Sequence, residues 1–204
     1  MCIILACKSS IPTLGSLRRS EKDNPDGGGV AWIQNGQVRW RKGLTADAIA
    51  SVIATIDLPF IVHFRLATIG NGNKLTHPFP ISKSASLKLE GQARAVLFHN
   101  GHWSDWAEYC RETLLRHKAK VPGGSWSDSR AMAWLASVYD MNFLSFLSNQ
   151  RIAVLHRKKG IVLFGDGWTE SNGISYSNTS LIQPKSILYK GNYRWQQNDI
   201  TSYE

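Results

Sequence analysis

The stretch MCIILACKSS, residues 1–10, places a thiol at the second position and follows it at once with Ile3, Ile4, Leu5 and Ala6. A short apolar run of this length, bounded by polar residues, predicts a buried strand over residues 2–8. Cys2 then stands at the open end of that strand. Cys is small, so trimming of the initiator Met is expected, which would leave Cys2 with a free α-amino group beside its thiol. An amine with an ordinary pKa near 8 can act as base toward its own side chain. The plainer reading is packing, because Cys is among the most buried residue types. Cys7 lies five positions on, and an odd offset along a strand sends the two thiols to opposite faces.

Working outward, 204 residues with 43% hydrophobic content suit one domain with a sizeable core. Residues 1–182 are assigned to that domain and residues 183–204 to a polar C-terminal extension. The three cysteines, Cys2, Cys7 and Cys110, are too sparse for a disulfide framework or a zinc site. No metal or cofactor is expected. No stretch has the length of a membrane span, and the apolar start is too short, and lacks the basic lead, for a signal peptide. A reducing, cytoplasmic location follows as the expectation. Lys and Arg exceed Asp and Glu by 24 to 15, a net charge of +9. The basic residues are scattered, so nucleic-acid binding is possible but not favoured over a solvated surface.

The pattern along the chain mixes strands and helices without regular alternation. Residues 9–29 read as loop and end in a Gly-rich turn, NPDGGG. Residues 29–43 read as a hairpin around Asn35 and Gly36. Residues 45–56 read as a helix capped by Thr45. Residues 59–68 and 93–101 read as strands. Helices are predicted over 104–118, capped by Ser104, and over 127–140, capped by Ser127, with residues 142–150 as an extension of the second. Residues 151–166 read as a hairpin and 173–178 as a further strand. Most tryptophans, including Trp32, Trp40, Trp103 and Trp134, are expected in the core or at its rim. The whole predicts an α+β architecture built on antiparallel sheets.

Four polar clusters fall at element ends, where a rigid scaffold can present chemistry. In HFRLATIG, residues 63–70, Arg65 follows a strand and could hold a carboxylate through two parallel hydrogen bonds. In LFHNG, residues 97–101, Asn100 and the Gly101 N–H could aim two donors at one spot, as an oxyanion hole requires. In WSDSR, residues 126–130, Asp128 could receive an ammonium, or could only complement the helix dipole. In NPDGGG, residues 24–29, three glycines permit close backbone approach. Together they would supply a nucleophile, a carboxylate clamp, an ammonium acceptor and an oxyanion hole. Those are the parts needed to attack the side-chain amide of a free amino acid, and glutamine fits.

The order of these pieces resembles the class II glutamine amidotransferase domain, of the N-terminal nucleophile hydrolases. The resemblance is carried by Cys2 after Met1, then NPDGGGV, HFRLATIG, THPF, FHNGHW and WSDSR, with GISYSN as the returning strand. It implies a four-layer αββα sandwich of two antiparallel sheets between helix layers. It makes Cys2 the nucleophile with its own α-amine as base, and Asn100 with the Gly101 N–H the oxyanion hole. It has Arg65 bind the glutamine carboxylate and Asp128 the ammonium, with Thr68 and the glycines near Gly29 lining the pocket. The reaction would pass through a γ-glutamyl thioester, releasing ammonia and then glutamate. The chain departs from the family at Leu66, where Trp or Tyr is common, at Ile69, where His is common, and in its length. Without room for a synthase domain, the ammonia would go to a separate synthase subunit. The alternatives are an amidohydrolase or peptidase of the same superfamily acting on another amide, and a non-catalytic homologue that binds a partner or nucleic acid.

Overall fold

The structure is a computed structural model and describes residues 2–67 and 72–179. The proposed extension, residues 183–204, lies outside the described residues. The first sheet contains β1 (Ile3–Cys7), β2 (Gly28–Gln34), β3 (Gln37–Leu44), β4 (Phe60–Phe64) and β6 (Glu90–Ala93), with β10 (Thr169–Ser171) and β11 (Ile174–Tyr176). Its order is β10-β11-β1-β4-β2-β3-β6. The second contains β5 (Phe79–Pro80), β7 (Ala95–Asn100), β8 (Arg151–His156) and β9 (Gly160–Phe164), in the order β5-β7-β8-β9. All paired strands are antiparallel. The helices are α1 (Leu14–Asp23), α2 (Ala46–Ile53), α3 (Trp106–His117) and α4 (Asp128–Tyr139).

Strand alternation sorts the core into three layers. Ile3, Leu5 and Cys7 of β1 face outward with Val62 and Phe64 and meet Leu17 of α1 and Ile49 and Ile53 of α2. Ile4 and Ala6 face inward with Ile61 and meet Val96, Phe98, Ala153 and Leu155 of the second sheet. The other face of that sheet, with Leu97, Ile152 and Val154, packs on Met132, Leu135 and Trp134 of α4 and Cys110 of α3. The result is helix, sheet, sheet, helix, the four-layer αββα sandwich. Each fully buried Ile, Leu or Phe contributes about 1.5–3 kcal/mol by leaving water. β1, buried along its whole length and flanked on both sides by strands, is the interior strand that its composition predicts.

Several local expectations are corrected. Residues 14–23 form α1 rather than loop, with the Thr13 hydroxyl accepting from the Ser16 N–H at 3.1 Å. Helix α3 begins after Asp105; Ser104 instead donates to the Asp105 carboxylate at 2.8 Å. Helix α4 does not continue through 142–150. Asp140 takes φ 103°, and a separate 3-10 turn follows over Met141–Phe146. The polar strands β6 and β10 were not expected. The hairpin of β2 and β3 does turn at Asn35 and Gly36, both at positive φ. Among the described residues no helix is long and apolar enough to cross a membrane.

Candidate active site

The antiparallel pairing of β1 with β4 sets Ile3 opposite Phe64. Cys2, one residue before β1, therefore lies beside the chain leaving β4. The Leu66 N–H donates to Cys2 Sγ at 3.4 Å, and Sγ lies 3.5 Å from the Leu66 carbonyl. Two residues after β11 secure the other side. The Ser177 N–H donates to the Ile4 carbonyl at 3.1 Å, the Ile4 N–H donates to Ser177 Oγ at 2.9 Å, and Asn178 Nδ2 donates to the Cys2 carbonyl at 2.8 Å. Cys2 is half-buried. Burial pushes its thiol above the usual cysteine range, and this outweighs the Leu66 hydrogen bond and the nearby charge of Arg65. The resting thiol is neutral, and only its thiolate form would be nucleophilic.

Arg65 is held by its backbone. Its N–H donates to the Gly27 carbonyl, and its carbonyl accepts from the Asp26 N–H, both at 3.0 Å. The Asp26 carboxylate also accepts from the Ala67 N–H at 2.7 Å. Asp26 thus braces the strand end that carries Arg65 and the Leu66 amide.

Adjacent residues of β7 serve different layers because their side chains alternate. Asn100 points inward and donates from Nδ2 to Ser177 Oγ at 2.9 Å, tying the two sheets together. His99 points outward to α4, where Nδ1 lies 3.0 Å from Ser129 Oγ; its Nε2 lies 2.8 Å from Gln150 Oε1. Asp128 opens α4 behind the Ser127 cap, whose hydroxyl accepts from the Arg130 N–H at 3.2 Å. The Asp128 carboxylate accepts from the N–H groups of Ser129 at 2.7 Å and Trp103 at 3.2 Å. His99 and His102 each place Nδ1 3.9 Å from it. Burial holds the His99 pKa below the usual histidine value, so the ring is neutral near pH 7.

These groups border one cavity of about 290 Å³, whose wall includes Cys2, Arg65, Asn100, Gly101, His102 and Asp128. Drug-sized ligands take about 300–1,000 Å³, so this space suits a small metabolite. It combines a thiol, a guanidinium and a carboxylate. Five of the seven residues singled out in the sequence therefore meet. Gly29 does not line this cavity. Its missing Cβ instead lets the His77 carbonyl pack against the β2 backbone. Thr68 lies outside the described residues.

Sequence reasoning missed Asp26, His99, Gln150, Ser177 and Asn178. It also missed a buried basic group beneath the cavity. His77 lines the cavity, and its ring lies against that of His63, 4.1 Å between centroids and tilted by 45°. Burial lowers both histidines, His63 to about 3, so both are neutral. Beside them Lys42 donates to the carbonyls of Lys74 at 3.0 Å and Pro78 at 3.3 Å, and burial lowers it to about 7. The signals available were the Asp of NPDGGG and the polar end of GISYSN. Nothing near Gln150 marks it. Among the described residues no cluster of three or more His, Cys, Asp or Glu could hold a metal ion.

No protein-family model matches the chain, and no curated protein matches it in sequence. Solved structures do match. One is the allosteric regulatory enzyme of purine biosynthesis, with a TM-score of 0.62 and 14% identity over 88% of this chain and 42% of that one. Another is the glutamine phosphoribosylpyrophosphate amidotransferase of B. subtilis in complex with ADP and GMP, with a TM-score of 0.59 and 12% identity over the same shares. This chain thus spans less than half the length of either. At these identities the likeness is one of fold, the four-layer αββα sandwich of two antiparallel sheets between helices.

Proposed function

We propose that the chain is a glutamine amidotransferase-type glutaminase that hydrolyses the side-chain amide of L-glutamine to glutamate and ammonia. The observation that carries this reading is the meeting of Cys2, Arg65, Asn100, Gly101 and Asp128 on one small cavity. Arg65 takes the substrate carboxylate through paired hydrogen bonds, and Asp128 takes the ammonium. After removal of Met1, the α-amine of Cys2 accepts the thiol proton, which burial would otherwise hold in place. The thiolate attacks the amide carbon. The oxyanion that forms is met by the Gly101 N–H and by the Asn100 amide, whose Nδ2 is positioned by Ser177, 2.9 Å from its Oγ and 3.4 Å from its carbonyl. Transfer of the proton from the α-amine to the departing nitrogen breaks the C–N bond and releases ammonia. Water then attacks the γ-glutamyl thioester, freeing glutamate and restoring the thiol. The fold neighbour from B. subtilis is named as a glutamine phosphoribosylpyrophosphate amidotransferase, which supports the same substrate.

The test is intact mass of protein made in cells, before and after exposure to a glutamine-mimicking diazoketone, together with ammonia release from glutamine. Loss of Met1 and one adduct are expected, with neither adduct nor turnover in Cys2→Ala. Normal glutamine turnover by Cys2→Ala would sink the reading. Activity on blocked amides but not on glutamine would point to another amidohydrolase of the same fold.

A further inference from the structure

We infer that Gln150 is a positioning residue: it holds His99 with its proton on Nε2 and packs the Gly101 turn in place, leaving the Asp128 carboxylate for the substrate ammonium. The role of Asp128 in this statement rests on the glutaminase reading. Gln150 is 3% exposed and precedes β8, whose Arg151 pairs with Asn100, so it lies beside the Gly101 turn although 51 positions from His99 along the chain. Its amide nitrogen donates to two acceptors, the His102 carbonyl and Asn149 Oδ1, both at 3.1 Å. That fixes which end of the amide is oxygen. Oε1 therefore faces His99 Nε2 at 2.8 Å and requires a proton there. A neutral ring with Nε2–H offers a lone pair at Nδ1, which accepts the Ser129 hydroxyl at 3.0 Å.

The consequence falls on Asp128. The Ser129 hydroxyl has a second acceptor in reach, Asp128 Oδ1 at 3.2 Å. While His99 takes that proton, the carboxylate keeps, among the described residues, its two backbone donors, from Ser129 and Trp103. Its remaining lone pairs and its full charge stay available to a cation in the cavity. A doubly protonated His99 would reverse this. Its Nδ1–H would donate to Ser129 Oγ, turning that hydroxyl toward Asp128, and its charge 3.9 Å away would compete with the ammonium.

Gln150 also grips the oxyanion turn. Its Oε1 fills the space that a side chain on Gly101 would need, and its amide holds the carbonyl of His102, the next residue. One side chain thus joins the two halves of the candidate site, the ammonium acceptor and the backbone donor.

The test reads the ring directly. Side-chain ¹⁵N NMR of His99, assigned from the backbone, is recorded for the wild-type chain, Gln150→Glu and Gln150→Leu, beside KM and kcat for glutamine. The wild-type ring is expected neutral with the proton on Nε2. Gln150→Glu sets a carboxylate against Nε2 and is expected to give a doubly protonated ring near pH 7, with KM raised about tenfold and kcat changed less. Gln150→Leu is expected to lose the fixed Nε2–H form and to lower kcat as well, because the Gly101 turn loosens. A wild-type ring protonated on Nδ1, or a Gln150→Glu chain with unchanged ring and KM, overturns the inference. The wild-type spectrum needs no variant to fold and no turnover. An inactive wild-type chain with the Nε2–H ring would remove the glutaminase reading and leave the tautomer assignment standing. An active chain with an Nδ1–H ring would do the reverse.

Discussion

The N-terminus of α2 and that of α4 carry nearly the same signature and end in different surroundings. Each has a hydroxyl cap, Thr45 or Ser127, and an Asp in the first turn, Asp47 or Asp128. Thr45 accepts from the Ala48 N–H at 3.3 Å, and Ser127 from the Arg130 N–H at 3.2 Å. Asp47 then points to solvent and pairs with Arg18 at 2.9 Å, both side chains more than half exposed. Asp128 is 18% exposed, accepts from the backbone of Trp103 in another loop, and borders the cavity that holds Cys2. The cap is a local device and works the same way in both helices. What the following carboxylate does depends on what the rest of the chain brings to it.

Substitutions can break or sharpen this contrast. The largest effect is expected from Asp128→Asn. Losing a charge-assisted contact to the substrate ammonium should lower kcat/KM for glutamine about 10–100-fold, mostly through KM, with little change in Tm. An effect on Tm without one on KM would make Asp128 a purely structural residue. Next come the caps. Thr45→Ala and Ser127→Ala should each cost about 1 kcal/mol in chemical denaturation. Only Ser127→Ala should also raise KM, because the turn presenting Asp128 loosens.

The contrast extends to cations, since Arg18 lies in solvent and Lys42 is 2% exposed. Lys42 drops from 10.5 to about 7 on burial, so between those values its folded form binds fewer protons than its unfolded form. The contribution of Lys42 to stability should therefore rise with pH across that window, opposed above about pH 8.5 by the thiols of Cys2, Cys7 and Cys110, which burial raises. Denaturation at pH 7 and pH 9.5 should show a shallower rise in Lys42→Met than in the wild-type chain. The smallest effect is expected from Asp47→Asn, within about 0.5 kcal/mol in stability and with no change in turnover. A measurable loss of activity there would erase the distinction between the two helix ends.

What was legible in the sequence follows the same division. The β2–β3 and β8–β9 hairpins, β1, β4, β7, and helices α2 and α4 announce themselves by alternation, turn residues or caps within a few positions. Helix α1 does not, because only Leu17 and Ser20 in it are buried, which leaves no apolar periodicity to see. The edge strand β6, EGQA, is mostly exposed and polar, and its pairing with β3 is visible only in three dimensions. In the candidate site, Cys2, Arg65, Asn100, Gly101 and Asp128 were readable because each sits where a strand or helix begins or ends. Gly29 was read as pocket lining, and the structure instead packs it under the His77 carbonyl.

The sequence by itself determined the apolar strands, the caps of α2 and α4, the hairpin turns, and the residue types able to attack and hold a small amide. Those features arise from φ/ψ preferences, side-chain alternation and hydrogen bonds reaching only a few residues. Tertiary structure alone decided which polar groups face one another. His99 meets Ser129 across 30 positions and Gln150 across 51, Asn100 meets Ser177 across 77, and Cys2 meets Asn178 across 176. Such pairs have no local signature. They form because stacking one sheet on the other and α4 on the second leaves buried donors and acceptors that must be satisfied by whatever the packing sets beside them.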